Sequence, residues 1–440
     1  MSNQAKRASP EAYSAQGLFF GNKFILLTSN GLSKMMRSVM SPFTSTFASL
    51  RHRNFRLFFV GQLVSFIGIW MQAVAQSWLV YDLTHSRFLL GLVGALASFP
   101  ILALSLYGGT LADRVDKRKL LLLTQFSAMA IAWSLGFLVA SGWIRIWHIF
   151  VLATLLGLDA AIDTPTRQSF IIEMVGREDL TNAIALNSTI FNASRVIGPA
   201  VAGFLIAGVG IAFCFFLNGL TYFAIIFALH SMRFEVRTKP RFSTRHGLKE
   251  AIQYATSHPA ILSLLALVAI ISIFALQYLV MMPVFAKDIL GGGPKTLGAL
   301  MTATGVGALM GALNLASWGN RGGRELMLIV GAFLFLGALF LFTASTNLYL
   351  SLIALVLVGA FMITFLATAN TLLQIKVEDG LRGRIMGLFV MALLGMTPIG
   401  SLQVGFLAQH LGAPSAIRIG IFICLLSLLG LLRNLRRIEH

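Results

Sequence analysis

Ionisable side chains inside long apolar runs are the residues of this sequence most able to do chemistry. Asp159, Asp163 and Arg195 are the clearest examples. A charged side chain at the centre of a bilayer costs about 2.5–3.5 kcal/mol even on insertion scales, so an intramembrane charge indicates a function by default. Asp159 and Asp163 lie one helical turn apart on one face. Arg195 lies on the next apolar run, and counting about 1.5 Å per residue places it within about a turn of the depth of Asp159.

Two interpretations of Asp159 and Arg195 are open at this point. In the first, Asp159 loads and releases a proton while Arg195 attracts an anionic group of a substrate or tunes the pKa of the acid, so that proton and substrate alternate at one ion pair. In the second, the two residues form a buried pair that fixes the packing of two helices. We expect Asp163, which lies just before Pro165, to pair with basic residues of a nearby loop such as Arg118.

Polar residues on otherwise apolar helices form a second group of candidates. Each can line a cavity or can hydrogen-bond between packed helices. Taken together they indicate a moderately polar, largely aromatic and neutral cavity that suits a small amphiphilic organic substrate. These residues are Gln72, Gln76, Asn192, Gln277, Tyr278, Asn370 and Gln403.

The segments that carry these residues are apolar enough to lie in lipid. Of 440 residues, 57% are hydrophobic and 11% are charged, whereas about a quarter of a soluble domain is charged. About 20 apolar residues cross a bilayer as a helix, and lipid leaves helices as the way to satisfy the backbone. The sequence therefore predicts an all-α membrane protein with twelve transmembrane helices. We place them near 55–81, 88–112, 119–140, 146–166, 182–207, 211–231, 260–286, 296–318, 325–344, 348–374, 384–409 and 415–432.

Lys and Arg are concentrated in alternate connections and at both ends of the spanning region. Because positive charge stays on the cytoplasmic side, this pattern predicts a multi-pass membrane protein with both termini in the cytoplasm. The bacterial inner (cytoplasmic) membrane is what the resemblance described below implies. The net charge of +18 does not indicate nucleic acid, since the basic residues are scattered rather than gathered on one soluble face.

The domain organisation follows from a polar, basic connection near the middle of the chain. Residues 232–259 read as a cytoplasmic linker between two six-helix bundles, 55–231 and 260–432, with a short cytoplasmic tail at 433–440. Residues 1–54 read as a disordered cytoplasmic extension. The extension could also lie on the membrane surface, or begin at a misassigned start upstream of Met40. Its apolar patches are too interrupted for a signal peptide, which needs about 7–15 apolar residues in a row.

An internal repeat supports the division into two bundles. Glu178-Asp179 precedes a span with Gly198-Pro199 and then Gly203-Phe204-Leu205, and Glu378-Asp379 precedes one with Pro398 and then Gly405-Phe406-Leu407. Such repeats commonly flank a central substrate site and let one half rock against the other. We expect Gly198, Pro199 and Pro398 to act as hinges.

A motif between the second and third spans, Gly108-Gly109-Thr110-Leu111-Ala112-Asp113-Arg114-Val115-Asp116-Lys117-Arg118-Lys119, resembles the loop signature of the major facilitator superfamily. Asp116 stands where that signature usually has a second glycine. The resemblance implies two pseudo-symmetric six-helix bundles, the major facilitator fold. It also implies that this loop latches the halves on the cytoplasmic side, which assigns the latch to Gly109, Asp113, Arg114, Arg118 and Asp163.

A further set of motifs, spread over residues 50–435, resembles the enterobactin-exporter branch of that superfamily. They are Trp70-Met71-Gln72, Trp78-Leu79-Val80-Tyr81-Asp82-Leu83-Thr84, Asp163-Thr164-Pro165-Thr166-Arg167-Gln168, Arg177-Glu178-Asp179-Leu180 and Arg195-Val196-Ile197-Gly198-Pro199. This resemblance implies a siderophore exporter or a drug efflux protein of the macrolide type. Gly198-Pro199 with Gly203 is similar to the fifth-span signature of antiporters, which favours export over uptake.

Other classes of function lack their residues here. An intramembrane enzyme or a lipid-handling protein would need a catalytic constellation such as H-E-x-x-H or a nucleophile with its base, and a primary pump would need a phosphate-binding loop. Cys214 and Cys424 read as buried residues of apolar runs. The sequence predicts a transporter, not an enzyme, with no cofactor and no metal. We expect a monomer whose partners are the substrate, protons and the lipid bilayer.

Overall fold

The computed structural model of the chain describes residues 47–233, 247–318 and 323–436. These ranges contain twelve helices that are long and apolar enough to cross a membrane. The first bundle has six uninterrupted helices: α1 Arg53–Thr84, α2 Arg87–Arg114, α3 Lys117–Ala140, α4 Ile146–Val175, α5 Leu180–Gly208 and α6 Ile211–Ser231. In the second bundle, α8 Pro294–Trp318, α9 Arg324–Ala344, α10 Leu348–Lys376 and α12 Ala413–Arg436 are also regular.

Two helices of the second bundle are irregular. Helix α7 begins as Pro259–Phe274, passes through a 3₁₀ turn at Leu276–Leu279, and ends in a π turn at Phe285–Ile289. Helix α11 comprises Asp379–Val390, a π turn at Met391–Gly395 and a final segment, Thr397–Leu411. Pro398 lies in the first turn of that final segment, where a proline fits because its missing N–H has no partner in any case. A π turn inside a helix is often found at functional sites.

The predicted twelve spans are confirmed, and the main error concerns the end of α4. The sequence analysis ends that span at 166, close to Pro165, whereas α4 continues to Val175 with Pro165 inside it. Proline removes one backbone hydrogen bond, which neighbouring helices can compensate in a membrane protein. The longer helix makes Arg167 part of a span rather than part of a loop.

The two bundles meet along two pairs of helices, α2 with α11 and α5 with α8. We call the end of the molecule that carries the α6–α7 linker the linker end, and the opposite end, with the α1–α2 and α11–α12 connections, the far end. At the α2–α11 crossing, a Cβ added to Gly405 would lie 3.0 Å from the Cα of Gly91. At the α5–α8 crossing, a Cβ added to Gly298 would lie 2.9 Å from the Cα of Gly203. Glycines allow helices to approach this closely.

Polar side chains join the bundles at the far end. The Tyr81 hydroxyl donates to Asp288 Oδ2 at 2.5 Å, and Arg87 Nη2 lies 3.3 Å from the same oxygen. Lys287 Nζ lies 2.6 Å from Asp82 Oδ1. Tyr81, Asp82 and Arg87 belong to the first bundle, whereas Lys287 and Asp288 lie on the π turn of α7. We call these five residues the far-end lock.

A side-chain amide adds to this junction. Gln409, near the end of α11, accepts hydrogen bonds through Oε1 from the backbone N–H groups of Arg87 at 3.0 Å and Phe88 at 3.3 Å. These are among the N–H groups at the start of α2 that have no partner within their own helix. The second bundle thus caps a helix of the first, and the two halves are held together at this end.

The linker contains a helix that packs on the second bundle. It spans Gly247–Ser257. Ala251 and Ala255 are buried, and Arg384 Nη1 of α11 lies 2.5 Å from Glu250 Oε2. This part of the linker therefore belongs structurally to the second half.

The start of α1 is tied to the start of α5. His52 Nε2 and Arg51 Nη2 each lie 2.7 Å from Asp179 Oδ2, and Ser49 Oγ donates to Asn182 Oδ1 at 2.7 Å. The hydrogen bond from His52, together with Arg51, holds the pKa of Asp179 below its usual value. Residues 49–52 of the predicted extension are therefore ordered, and its residues 1–46 lie outside the described part, as do residues 437–440 of the predicted tail.

We predict that Gly405→Val opens the far end. The new side chain would overlap the α2 backbone, and overpacking of about 1–3 kcal/mol would shift the equilibrium between closed and open forms by about 5- to 150-fold. Ser86→Cys with Gln409→Cys, whose native side-chain oxygens lie 3.5 Å apart, gives a crosslink that reports closure. The expected result is a loss of crosslinking yield in the presence of Gly405→Val.

Gly337→Val is the matched control, since a Cβ at Gly337 of α9 meets no atom within 4 Å. Its crosslinking should equal that of the parent. Equal yields in Gly405→Val and the parent would show that the glycine crossing does not set the closure of the far end.

Candidate functional site

The centre of the first bundle holds a buried ion pair within α4. Asp163 Oδ2 is bound by the Arg167 guanidinium, with Nε at 2.9 Å and a second bond from Nη2. Asp163 Oδ1 accepts from Thr124 Oγ1 at 3.0 Å and from Gln125 Nε2 at 2.7 Å, both on α3. Asp163 and Arg167 are each only 8% exposed. Each carboxylate oxygen of Asp163 therefore accepts two hydrogen bonds.

This geometry corrects the predicted partner of Asp163. Arg118 does not reach it; its Nη2 donates instead to the backbone oxygen of His230 at 2.6 Å, at the end of α6. The prediction was wrong because α4 does not end near Pro165. With the helix continuing, Arg167 lies four residues beyond Asp163 on the same face, which is the spacing at which opposite charges pair.

Asp159 lies one turn from Asp163 but does not pair with Arg195. The side chain of Asp159 contacts Ser127 of α3 and lies within electrostatic range of Asp163 and Arg167. Tyr222, buried on α6, faces the same group of charges. The predicted Asp159–Arg195 ion pair is thus absent from the described residues. The neighbours of Asp159 lie on α3, α4 and α6, and Arg195 is not among them.

Arg195 instead lies over an aromatic ring. Its guanidinium carbon is 5.4 Å from the centroid of the Trp70 ring of α1, and Tyr278 of α7 is within electrostatic range. Among the described residues, no carboxylate and no hydrogen-bond acceptor pairs with its side chain. A cation–π contact is attractive, but it leaves the positive charge of Arg195 without a counter-ion.

Three aromatic residues connect the two arginines. Phe191 makes edge contacts with Trp70 at 5.8 Å and with Phe66 at 5.4 Å between ring centroids. The Arg167 guanidinium carbon lies 5.3 Å from the centroid of Phe66. We call Phe66, Trp70 and Phe191 the aromatic wall; all three are at least partly exposed. An unpaired cation beside an accessible aromatic surface can bind an organic anion that also carries apolar or ring groups.

Two of the predicted cavity residues are helix-packing groups. Gln72 accepts from Asn218 Nδ2 of α6 at 2.6 Å. Gln277 donates to the Ser272 backbone oxygen at 2.8 Å and accepts from Ser401 Oγ of α11 at 2.9 Å. Both are almost wholly buried, so they join helices rather than face a cavity.

The other predicted cavity residues differ in their exposure. Tyr278 is fully buried and is relevant through its position near Arg195. Gln76, Asn192, Asn370 and Gln403 are partly exposed. Asn192 donates to the Ser188 backbone oxygen of its own helix at 2.9 Å, and Asn370 accepts from Gln374. These four residues remain candidates for contact with a substrate.

The predicted latch is described only in part. Gly109 and Asp113 belong to the last turns of α2, and the surroundings of both residues lie outside the described part of the chain. Arg114 is exposed at the end of α2. Lys117 pairs with Glu173, which ties the start of α3 to the end of α4.

The predicted hinges occupy different settings. Gly198 packs on the α1 backbone, where an added Cβ would lie 2.9 Å from the Ile67 oxygen. Helix α5 runs through Pro199 without interruption. Pro398 directly follows the irregular turn of α11. The structure thus gives Gly198 a role in close packing and places a break in the helix at Pro398.

Sequence reasoning missed Arg167 and the far-end lock. The spacing of Asp163 and Arg167 was a usable signal for the first. The lock had no local signal, since its partners Asp82 and Lys287 are distant in the chain, although both lie at the ends of predicted spans.

Residues 44–440 match the family described as transmembrane secretion effector. The chain belongs to this family. Its solved structural neighbours show the same fold: a bacterial homologue of the human lysosomal transporter Spinster superposes with a TM-score of 0.71 over 88% of this chain and 98% of that one at 14% identity. The D-xylose-proton symporter gives 0.67 over 86% and 96% at 15% identity. This secretion effector therefore has the major facilitator fold and is a transporter, not an enzyme.

Curated relatives of this secretion effector include siderophore transporters. The staphyloferrin A transporter of Staphylococcus aureus is 29% identical over 359 residues, which cover 81% of this chain and 90% of the relative. The enterobactin exporter EntS of Shigella boydii is 26% identical over 398 residues, covering 88% and 94%. The predicted resemblance to the enterobactin-exporter branch is confirmed.

We predict that Asp163→Asn destabilises the protein. The substitution leaves the Arg167 charge buried without its partner, which costs about 3–5 kcal/mol. The double variant Asp163→Asn with Arg167→Gln removes the orphaned charge and should recover most of the loss. Thermal unfolding of the purified protein in detergent measures both. A single variant as stable as the parent would show that Asp163 does not compensate a buried charge on Arg167.

Proposed function

We propose that this protein exports a small organic molecule, a siderophore or a related metabolite, from the cytoplasm across the bacterial inner membrane in exchange for protons. The observation that carries the proposal is Arg195, a cation without a counter-ion in the middle of α5, lying over the aromatic wall. Its positive charge fits an anionic group of the substrate, and the wall fits the apolar remainder. The names of the staphyloferrin A transporter and of the enterobactin exporter support the same class of substrate.

The position of Arg195 suits alternating access. Its neighbours are Trp70 of the first bundle and Tyr278 of the second. A substrate bound at Arg195 would therefore be within reach of both halves, as a central site between two repeats requires. The far-end lock closes one side of such a site, and release would require that lock to separate.

The direction of transport in this proposal rests on charge. Basic residues such as Arg118, Arg233 and Arg384 lie at the linker end, and positive charge is retained on the cytoplasmic side of a membrane. We place both termini in the cytoplasm on this ground. The substrate then enters from the linker end and leaves through the far end.

A multidrug efflux pump of the macrolide type is the second candidate. The aromatic wall and the partly exposed amides of Gln76, Asn192 and Asn370 could bind an uncharged amphiphile without Arg195. The two functions differ in their dependence on that arginine, because an anionic siderophore needs the cation and an uncharged drug does not. A lipid-handling role has no comparable support.

We predict energised export of a siderophore. Cells that produce enterobactin or staphyloferrin A and lack their own exporter should release it into the medium when they express this protein, and an uncoupler that collapses the proton gradient should stop the release. Extracellular siderophore is measured by chromatography. Release that continues unchanged with the uncoupler would contradict proton exchange, and no release of either compound would contradict siderophore export.

We predict that Arg195→Gln weakens siderophore binding. Hydrogen bonds to charged groups contribute about 1.5–3 kcal/mol, which corresponds to about 10- to 150-fold in Kd. Arg195→Lys should give an intermediate loss, since it keeps the charge but not the planar guanidinium fork. Titration of the purified protein, followed by quenching of Trp fluorescence, reports the affinity. Macrolide transport that persists in Arg195→Gln, without any siderophore transport by the parent, would favour the multidrug function.

A further inference from the structure

The charges near the middle of the membrane form two separate groups. In the first bundle, Asp159 and Asp163 carry two negative charges against the one positive charge of Arg167, and Arg167 is committed to Asp163. Asp159 therefore holds an excess negative charge whenever its carboxyl group is ionised. Arg195 holds an excess positive charge on the side of the aromatic wall. If the two groups formed one ion pair the charges would cancel, but they face different helices.

We propose that the driving proton binds Asp159, in a pocket separate from the substrate site at Arg195, so that proton and substrate do not compete for one ion pair. This inference rests on the proposed function as a proton-coupled exporter. Each ligand neutralises one uncompensated charge, the proton at Asp159 and the substrate anion at Arg195. An uncompensated charge in a low-dielectric setting is costly, so each ligand stabilises the form of the protein that buries its own site.

The surroundings of Asp159 suit a proton rather than a metal cation. Hard cations take several oxygen ligands, about 6–8 in the case of Ca²⁺. Both oxygens of Asp163 already accept hydrogen bonds, from Thr124, Gln125 and Arg167. The free anionic group that remains is the carboxylate of Asp159, with the hydroxyl of Ser127 beside it. One carboxylate is enough to hold a proton.

Each helix packed against this part of α4 has an identifiable contribution. Helix α3 supplies Ser127 to Asp159 itself, and α6 supplies the phenol of Tyr222. Where α2 crosses α4 at Gly157, it presents Ala97 and Pro100, which are apolar. Helix α1 contributes the ring of Phe66 to Arg167. Helix α5 contributes Arg195 to the opposite side, where it pairs with no acid of the described residues.

The aromatic wall provides a physical route between the two sites. Arg167, which is fixed by Asp163, lies over Phe66; Phe66 contacts Phe191, which contacts Trp70 beneath Arg195. The proton site and the substrate site are then coupled through the packing of these aromatic rings, and proton and substrate do not compete for one residue. Such a route needs evidence of coupling, which here is the amount of siderophore accumulated for a given pH gradient, and Phe66 is the residue through which to test it.

The experiment uses the full chain in proteoliposomes, with enterobactin or staphyloferrin A as the transported probe according to which one the parent exports. Two transport modes are compared: accumulation driven by an imposed pH gradient, and exchange of labelled for unlabelled siderophore without a gradient. Siderophore Kd is measured on the same preparations. Infrared difference spectra between low and high pH detect the carboxylic acid C=O band of a protonated aspartate without any substrate.

For Asp159→Asn we expect gradient-driven accumulation and the infrared band to be lost, while exchange continues and the siderophore Kd changes by less than about twofold. For Arg195→Gln we expect the infrared band to remain, while Kd weakens by about 10- to 150-fold and both transport modes fail. Phe66→Ala should bind siderophore and proton but accumulate little siderophore for a given pH gradient. Size-exclusion chromatography checks that each variant is folded.

Asp116→Asn is the matched acid-to-amide control. Asp116 is exposed and caps α3, and asparagine is an equally good cap, so parental behaviour is expected in every assay.

Three outcomes overturn the inference. A siderophore Kd that shifts as much in Asp159→Asn as in Arg195→Gln would show that proton and substrate share one site. Gradient-driven accumulation by Asp159→Asn would show that the proton binds another residue. A parent driven by a sodium gradient but not by a pH gradient would exclude the proton as the ligand. The first two outcomes leave the exporter function intact. A parent that transports neither siderophore would contradict the proposed function itself. Failure of the proposed function can thus be distinguished from failure of this inference.

Discussion

The low dielectric of the membrane interior requires that every charge among the helices be compensated, and the arrangement of this protein follows from how that requirement is met. Asp163 and Arg167 satisfy it within one helix, with Thr124 and Gln125 completing the shell. Lys117 with Glu173, and Asp82 with Lys287, pair opposite charges at the ends of helices. Asp159 and Arg195 are left over with opposite signs, on different faces and at similar depth. Such unmatched charges are the basis of the two binding sites that we propose.

The second constraint is how closely two bundles can approach. Gly91 with Gly405, and Gly203 with Gly298, place four backbones in near contact at two equivalent crossings. Gly203-Phe204-Leu205 and Gly405-Phe406-Leu407 are the repeated segments of the sequence, so the internal repeat corresponds to the two places where the halves touch. At these crossings the backbones are so close that no side chain fits between them. The far-end lock adds ion pairs between the same two bundles. Steric fit and charge pairing therefore act on the same interface.

Much of the fold could be predicted from the sequence because lipid imposes a simple pattern on composition. Twelve apolar runs, a basic linker and a duplicated motif were sufficient for the architecture. The site was harder. Residue counting placed Asp159 and Arg195 near one another but did not give the neighbour that each meets, since small errors in helix rotation decide which neighbour a side chain meets.

Two other features of the site had no reliable sequence signal. Pro165 suggested the end of a helix that in fact continues, so the partner of Asp163 was assigned to a loop residue instead of Arg167. The lock depends on contacts between residues that are far apart in the chain and joined only by the folded bundles. The local sequence pattern shows neither that a helix continues through a proline nor which distant residues meet in the fold.

The irregular turns of the structure have a mechanical consequence. Helices α7 and α11 contain the 3₁₀ and π segments, whereas α1 to α6 run without interruption, and the latter carry Asp159, Asp163, Arg167 and Arg195. A helix with a non-standard turn bends at lower cost than a regular one. We therefore expect bending to be concentrated at the irregular turns of α7 and α11, so that the distances among these four ionisable residues of the first bundle change little.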